Sequence, residues 1–479
     1  MTPRYKGFRG GYRFRRFRGA PVPERISFGI PELLKVPLVD LKGKPIPPLV
    51  KAGQQVRAGQ ILASDDASLS SPVCAPASGV VRAVAKDGRV LTIASDGSAD
   101  WTPLEPRYPN WRSTAPEKLQ EALYLSGITG FPDGGIPTIF HSSVIGPGDV
   151  EHIIVEAVYA DVYSPRLGVL LAGAVEKFAS GLALLGRMLP KSSSTVIIDR
   201  SERALGAELR AALAGGARLI EVASRYPLDH EAILLPAVLG GRFANGYRAI
   251  HHGVLVLDVQ TVIQVHEAVV EGRPAIERTV ALAGTGFARN IHLDARLGTP
   301  LEAIAKKYLA PGIESRIVIN SPIRGEAVLD LGRPLDARIR LLAALPEGHR
   351  GQFMSFARPG FRADSYTPTF AASFLPLSKN LGTNLQGEER ACISCGFCGD
   401  VCPARIMPQL LHRFVKRDVI DELILRYRIV DCIDCNLCTY VCPSKIPVAA
   451  LIREGKTRLA AEGLEDSTPP VPRGVLKGV

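Results

Sequence analysis

Eight cysteines carry the chemistry open to this sequence. They fall in two runs, Cys392-x2-Cys395-x2-Cys398-x3-Cys402-Pro403 and Cys432-x2-Cys435-x2-Cys438-x3-Cys442-Pro443, and the ninth cysteine of the 479-residue chain is Cys74. Three thiolates at this spacing wrap three corners of an iron–sulfur cube. The fourth cysteine, beyond a turn fixed by proline, reaches the other cluster. The spacing therefore assigns one [4Fe–4S] cluster to Cys392, Cys395, Cys398 and Cys442, and a second to Cys432, Cys435, Cys438 and Cys402. Zinc also takes soft thiolates, but normally from two C-x2-4-C pairs rather than from four cysteines packed into one short run. A cubane with four cysteine ligands leaves no coordination position for substrate. The chemistry expected is single-electron transfer, and no residue is assigned as catalytic. Thiols must stay reduced to bind iron, which points to the cytoplasm.

These cysteines need elements to hold them. Between Cys402 and Cys432, Leu410, Leu411, Phe414 and Val415 mark one helical face, and Leu423 and Ile424 a second. Residues 391–463 are therefore expected to form a helical ferredoxin domain, followed by a tail at 464–479. Residues 36–100 read as short strands and glycine turns. Their "VKAGQQVRAGQ" and "APASGVV" resemble the barrel-sandwich domain of biotinyl and lipoyl carriers. Such carriers need a lysine on a hairpin tip, and the stretch Ser64 to Pro72 has none, so the sandwich is read as structural. Cys74, inside one of its strands, reads as a small buried hydrophobe. Residues 101–275 alternate strand and helix, the pattern of a Rossmann-like parallel sheet. Residues 276–345 return to short strands around one helix, Pro300 to Lys307, as in a β-grasp domain. Residues 346–390 are an irregular connector. The fold class expected is thus multidomain α/β plus β.

Composition narrows the classes further. A mean hydropathy of +0.11 with 22% charged residues excludes a disordered chain. No stretch approaches the roughly 18 apolar residues of a membrane span. The formal charge is +11, and +7 of it comes from residues 1–25, where eight Arg and Lys meet Glu24 alone. Tyr5, Phe8, Tyr12, Phe14 and Phe17 interleave with those charges. This basic arm, residues 1–35, reads as a solvated tail, or as a segment able to lie on an anionic membrane surface or an acidic partner protein. No nucleic-acid module follows it, so nucleic acid is not an expected partner.

With these motifs in view, the sequence is identified as a member of the RnfC/NqrA family. "ACISCGFCGDVCPARIMPQLL" and "DCIDCNLCTYVCPSKIPVAALIR" resemble the cluster domain of RnfC, and "FRGG" (Phe8 to Gly11) and "NSPIRG" (Asn320 to Gly325) fit that family. "VLLAGAVEKFASGLALLGRM", "ALAGTGFARNIHLDARLGTPLEAI" and "FAASFLPLSKNLGTNLQGEERA" are similar to NqrA, a component of the sodium-pumping NADH:quinone reductase that generally lacks the cysteines. The resemblance implies an electron-transfer subunit of an ion-translocating oxidoreductase complex, peripheral at the cytoplasmic face of the membrane. Its partners would be the membrane components of that complex and an electron donor or acceptor such as ferredoxin, NADH or quinone. A soluble flavin and iron–sulfur reductase of the cobalamin-reductase type is the alternative, and a cluster-bearing scaffold ranks last.

One departure bears on cofactors. The family's loop of the type G-x-G-G-A-x-F-P-T brings backbone close to flavin phosphate and nicotinamide nucleotide. Here it reads Gly130-Phe131-Pro132-Asp133-Gly134-Gly135-Ile136-Pro137-Thr138. Pro132 lacks an N–H, and Asp133 puts a negative charge where phosphate would sit. The acidic stretch of the type N-G-A-E-C-E-P is replaced by "EAVYADV", Glu156 to Val162. Both changes argue against FMN and NADH, and a structural loop is the favoured reading. His141, His251 and His252 have no partner at metal-ligand spacing and are read as structural.

Overall fold

The structure, a computed structural model, describes residues 5, 7–40, 43–64, 72–128, 150–241, 243, 248–348 and 360–463. The glycine loop at 130–138, His141, most of the carrier-type hairpin tip and the tail at 464–479 lie outside the described residues.

The basic arm leads into β1, Arg25–Gly29. Six short strands follow: β2 (Leu33–Pro37), β3 (Gln55–Val56), β4 (Ile61–Ala63), β5 (Val73–Cys74), β6 (Gly79–Val84) and β7 (Val90–Ser95). They make an antiparallel sheet of order β2-β7-β6-β3 and a β4-β5 pair. Val36, Leu38, Ile46, Val56, Leu62, Val81, Leu91 and Ile93 fill the core between them, as expected of a small sandwich.

After α1 (Pro116–Leu125) the chain enters a four-stranded sheet built from β8 (His152–Ala157), β9 (Ser193–Asp199), β10 (Arg218–Val222) and β11 (Val254–Asp258). All its neighbours are parallel, in the order β10-β9-β8-β11. The strands read as apolar runs because helices cover both faces. The short α2 (Leu167–Leu170) and the long α3 (Val175–Met188) lead from β8 to β9, α4 (Arg203–Leu213) leads on to β10, and α5 (Glu231–Leu239) leads to β11. Next, α6 (Val259–His266) packs on α3. One core lies under α3 and α6, and a second under α5.

A six-stranded mixed sheet comes next, of order β1-β13-β12-β16-β14-β15. Its strands are β12 (Glu277–Ala283), β13 (His292–Arg296), β14 (Ser315–Ile319), β15 (Glu326–Ala327), β16 (Leu341–Pro346) and the strand of the arm. Helix α7 (Leu301–Tyr308) packs Leu301, Ile304 and Tyr308 into its core. The two large sheets are tied at α6, where Gln260 Nε2 donates to Thr279 O at 2.9 Å and Gln264 Nε2 to Glu277 O at 3.0 Å. Among the described residues, no helix is long and apolar enough to cross a membrane.

The C-terminal part is helical: α8 (Phe397–Asp400), α9 (Pro408–Lys416), α10 (Glu422–Arg426), α11 (Leu437–Tyr440) and α12 (Val448–Ala461). Leu411, Val415, Ile424, Ile452 and Leu459 build one core from α9, α10 and α12.

The reading of the arm as a solvated tail is corrected here. Its aromatic residues face inward while Arg13, Arg15, Arg16 and Arg18 stay exposed. The ring of Phe14 packs 5.3 Å from Tyr226 and 5.2 Å from Tyr440, and Phe17 packs against Tyr163 and Tyr366. Partly burying several such rings contributes together to holding a segment that carries no core of its own. Backbone bonds fasten the rest. Gly11 N–H donates to Val401 O at 2.8 Å, Tyr12 and Tyr226 exchange two bonds, and Arg18 N–H donates to Lys379 O. The arm therefore crosses from the cysteine region to the mixed sheet, where β1 joins β13. Gly10 makes the crossing possible: its φ is +71°, and a Cβ there would lie 2.6 Å from Cys402 O. Gly10→Ala should cost about 1–2 kcal/mol from the left-handed backbone alone, plus the steric contact. Trypsin should then cut at Arg13, Arg15 and Arg16 faster than in wild type, and an unchanged digestion rate would contradict this seating.

Candidate functional site, two rings of cysteine

The cysteine region is a structural repeat. Positive φ occurs at Ser394 and Asp434 (57° and 53°), at Gly396 and Asn436 (81° and 62°), and at Arg405 and Lys445 (58° and 53°). Each pair has the same offset as Cys392 and Cys432, and α8 and α11 are also equivalent. Backbone of this kind turns successive N–H groups into one concavity, a nest for an anionic group such as an iron–sulfur centre. The sulfurs sit in it. Cys392 accepts from the Ser394 N–H and Cys432 from the Asp434 N–H. Cys435 accepts from the Leu437 N–H, and Cys402 from the N–H groups of Ala404, Arg405 and Ile406. Five of these six left-handed residues are not glycine, so the cost in strain is carried by the loops that need it.

The structure places the fourth cysteine of each run with the other run. Cys442 lines one small pocket together with Cys392, Cys395 and Cys398. Cys402 lies close enough to Cys432, Cys435 and Cys438 for its charge to act on all three. All nine cysteines are free thiols. Among the described residues, no three His, Cys, Asp or Glu groups converge as ligands of a single ion. The sulfurs instead form two groups, of which the one with Cys442 lines a pocket.

The two rings differ in depth. In the outer ring Cys395 is exposed, and beside it stand three exposed apolar side chains, Ile393 (67%), Phe397 (48%) and Met407 (47%). Behind it, His412 is buried and its Nδ1 faces Pro408 O at 2.8 Å. In the inner ring Cys435 and Cys438 are buried, with Tyr226 and Leu437 packed against Cys435 and the arm's Tyr12 and Phe14 beyond. Tyr226 Oη donates to Cys435 O at 2.7 Å, and Asn436 Nδ2 donates to Ile323 O at 2.8 Å. Lys445 is buried between Thr367, to whose Oγ1 its Nζ donates at 2.7 Å, and the ring of Phe370. The connector thus docks on the cysteine region.

Electrostatics follow depth. Burial pushes the Cys435 thiol up to about 12, Cys432 up to about 11 and Cys438 well above its ordinary value. Burial and the charges of Cys395 and Cys442 push Cys398 up to about 11. At Cys392 burial is outweighed by the Ser394 N–H and Arg413, which hold the thiol below its ordinary value. Burial thus makes most of these thiols hold their protons more tightly, and binding a metal cluster displaces protons.

The other residues singled out in the sequence fall elsewhere. Cys74 Sγ donates to Leu125 O at 3.8 Å, and burial pushes its thiol up to about 12, which suits a structural role. His252 packs edge-on to Phe243, ring centroids 4.9 Å apart. The acidic stretch is engaged inside the fold, with Glu156 paired to Arg340. Tyr226, Asn436 and Lys445 carry no mark of a site in the sequence read residue by residue. Asn436 and Lys445 do lie at fixed offsets within the second run, where the repeat itself could have marked them.

Residues 7–94 match the RnfC barrel sandwich hybrid domain, and residues 391–446 match a 4Fe-4S dicluster domain. The C-terminal part is therefore an iron–sulfur domain. A curated relative, the C subunit of the ion-translocating oxidoreductase complex of Pseudomonas aeruginosa, is 32% identical over 436 residues, covering 88% of this chain and 52% of the relative. The chain spans about half the length of that relative. Two solved structures of an NAD+-reducing [NiFe]-hydrogenase are similar at lower levels. The air-oxidised state has a TM-score of 0.39 at 17% identity, over 52% of each chain. The H2-reduced state has a TM-score of 0.45 at 15% identity, over 75% of this chain and 65% of that one. In its two domain matches, and in a relative whose similarity spans most of this sequence, the chain is similar to the C subunit of an ion-translocating oxidoreductase complex.

Proposed function

We propose that this protein is the electron-transfer subunit of an Rnf/Nqr-type, membrane-associated, ion-translocating oxidoreductase complex, and that single electrons cross it through two [4Fe–4S] clusters. The observation that carries this reading is the pair of cysteine rings, one at the surface and one inside, each completed by a cysteine from the other run. Cys392, Cys395, Cys398 and Cys442 hold the outer cluster, and Cys432, Cys435, Cys438 and Cys402 the inner one. When bound, such clusters supply one-electron redox chemistry. The chain's own residues hold and tune them. The nest N–H groups stabilise thiolate sulfur, Tyr226 fixes the Cys435 backbone, and the aromatic packing of the arm keeps water from the inner ring.

Electrons enter or leave at Cys395, where Ile393, Phe397 and Met407 give a redox partner an apolar seat. The partners are the membrane components of the complex and a donor or acceptor such as ferredoxin, NADH or quinone, and the protein sits peripherally at the cytoplasmic face. We read the parallel sheet as Rossmann-like, on its strand order, and the mixed sheet with α7 as a β-grasp domain. FMN and NADH are not assigned here. Pro132 and Asp133 disfavour a phosphate, and Glu156 of the acidic stretch is already paired with Arg340.

Two clusters call for about eight iron atoms per chain. Cys442→Ser should lose the same electron paramagnetic resonance (EPR) signal as Cys395→Ser, and Cys402→Ser the same signal as Cys435→Ser. If Cys402→Ser instead matches Cys395→Ser, the exchanged ligation is wrong. Phe397→Ser should slow electron transfer to a soluble ferredoxin by about tenfold, or about 1.4 kcal/mol, at unchanged iron content. An unchanged stopped-flow rate would remove this face from the route.

A further inference from the structure

Beside the inner ring, the parallel sheet and the mixed sheet meet over a group of buried charges. Glu156 is the penultimate residue of β8, Asp161 follows the strand, and Asp229 precedes α5. They face Arg324, after β14, and Arg340, just before β16. Arg340 Nη1 lies 3.4 Å from Glu156 Oε1, and its Nη2 lies 3.2 Å from Asp229 Oδ2, while Arg324 also pairs with Asp229. Three carboxylates thus face two guanidiniums. The neighbouring Asp258–Arg278 pair is balanced in itself. Tyr159, Tyr226, the Ser321 hydroxyl and His230 complete the surroundings, and burial keeps His230 neutral. One oxygen of Glu156 and one of Asp229 are buried without a hydrogen-bond partner among the described residues. A buried anion in excess of its cations binds a proton more readily than it stays charged. Burial accordingly pushes Glu156 up to about 8, and burial with the charge of Asp229 pushes Asp161 up to about 7.

This group reaches the inner ring in two steps. The Arg324 guanidinium lies 5.6 Å over the ring of Tyr226, and Tyr226 Oη donates to Cys435 O at 2.7 Å. The residue before Arg324, Ile323, accepts from Asn436. None of the three carboxylates neighbours a cysteine in sequence.

We infer that the Glu156/Asp161/Asp229 group is a proton site coupled to the electron on the inner cysteine ring. The inference rests on the ligation proposed above. One electron arrives from the redox partner and one proton from solvent, a carboxylate oxygen forms an O–H bond, and oxidation reverses both. The coupling is reciprocal. An electron on the ring raises the proton affinity of the carboxylates, and a bound proton makes the electron easier to accept. The reduced form therefore binds the proton more tightly, and the midpoint potential of the inner cluster falls as pH rises.

The test is a potentiometric EPR titration of the full-length, cluster-loaded protein with dithionite, between about pH 6 and pH 9, the range that brackets the two carboxylates. The inner cluster should shift toward the roughly 59 mV per pH unit that a tenfold change represents for one electron, while the outer cluster stays level. Glu156→Gln and Asp161→Asn, both close to isosteric, should flatten that slope without removing either signal. Two wild-type signals with level potentials would overturn the inference alone, as would a slope that survives in both variants. A missing wild-type signal would overturn the ligation and the inference together.

Discussion

The proposed exchange of Cys402 and Cys442 between the two runs is the constraint on which the C-terminal architecture depends. Neither half of the repeat can close a ring by itself. The chain must leave the first run at Cys402, travel out along α9, return through α10, and deliver the second run back-to-back with the first. That path puts Leu411, Val415 and Ile424 against Ile452 and Leu459 of α12, so one apolar core serves both halves. The repeated left-handed residues follow from the same requirement. Each loop must aim its N–H groups at sulfur from a turn too tight for ordinary β or α backbone.

Depth then separates the two rings. The outer one is open at Cys395, while the inner one is covered at Cys435 by Tyr226 and Leu437, with the aromatic side of the arm beyond. A buried cluster gains charge in a poorly solvated place, so nearby dipoles and ions set its potential more than water does. The Tyr226 hydroxyl, the nest N–H groups and Arg324 are the groups in position to do so. The arm matters here although it contributes no ligand. It seats Gly10 against Cys402, Phe14 against Tyr226 and Tyr440, and β1 in the mixed sheet, and thereby clamps three parts of the protein around the inner ring.

Much of this is legible in the residues. The cysteine spacing announces the iron–sulfur domain, because ligand geometry leaves few alternatives. Alternating strand and helix patterns announce the parallel sheet, since β8 to β11 are nearly continuous apolar runs. The arm misleads, because alternating arginine and aromatic residues look the same whether the rings face solvent or a distant Tyr226. The left-handed loop positions are also hidden. Ser394, Asp434, Arg405 and Lys445 hold backbone that sequence would credit to glycine, and tertiary contacts alone enforce it. The charge group around Glu156 joins residues far apart in the chain, and no local pattern pairs Glu156 with Arg340.

The central claim is that this chain carries two adjacent clusters forming one path. The EPR spectrum of the fully reduced protein tests it most directly, because two paramagnetic centres side by side broaden and split each other's signals. Two adjacent clusters should give two signals that interact when both centres are reduced and simplify when either is oxidised. A single signal, or two that never influence each other, would contradict it.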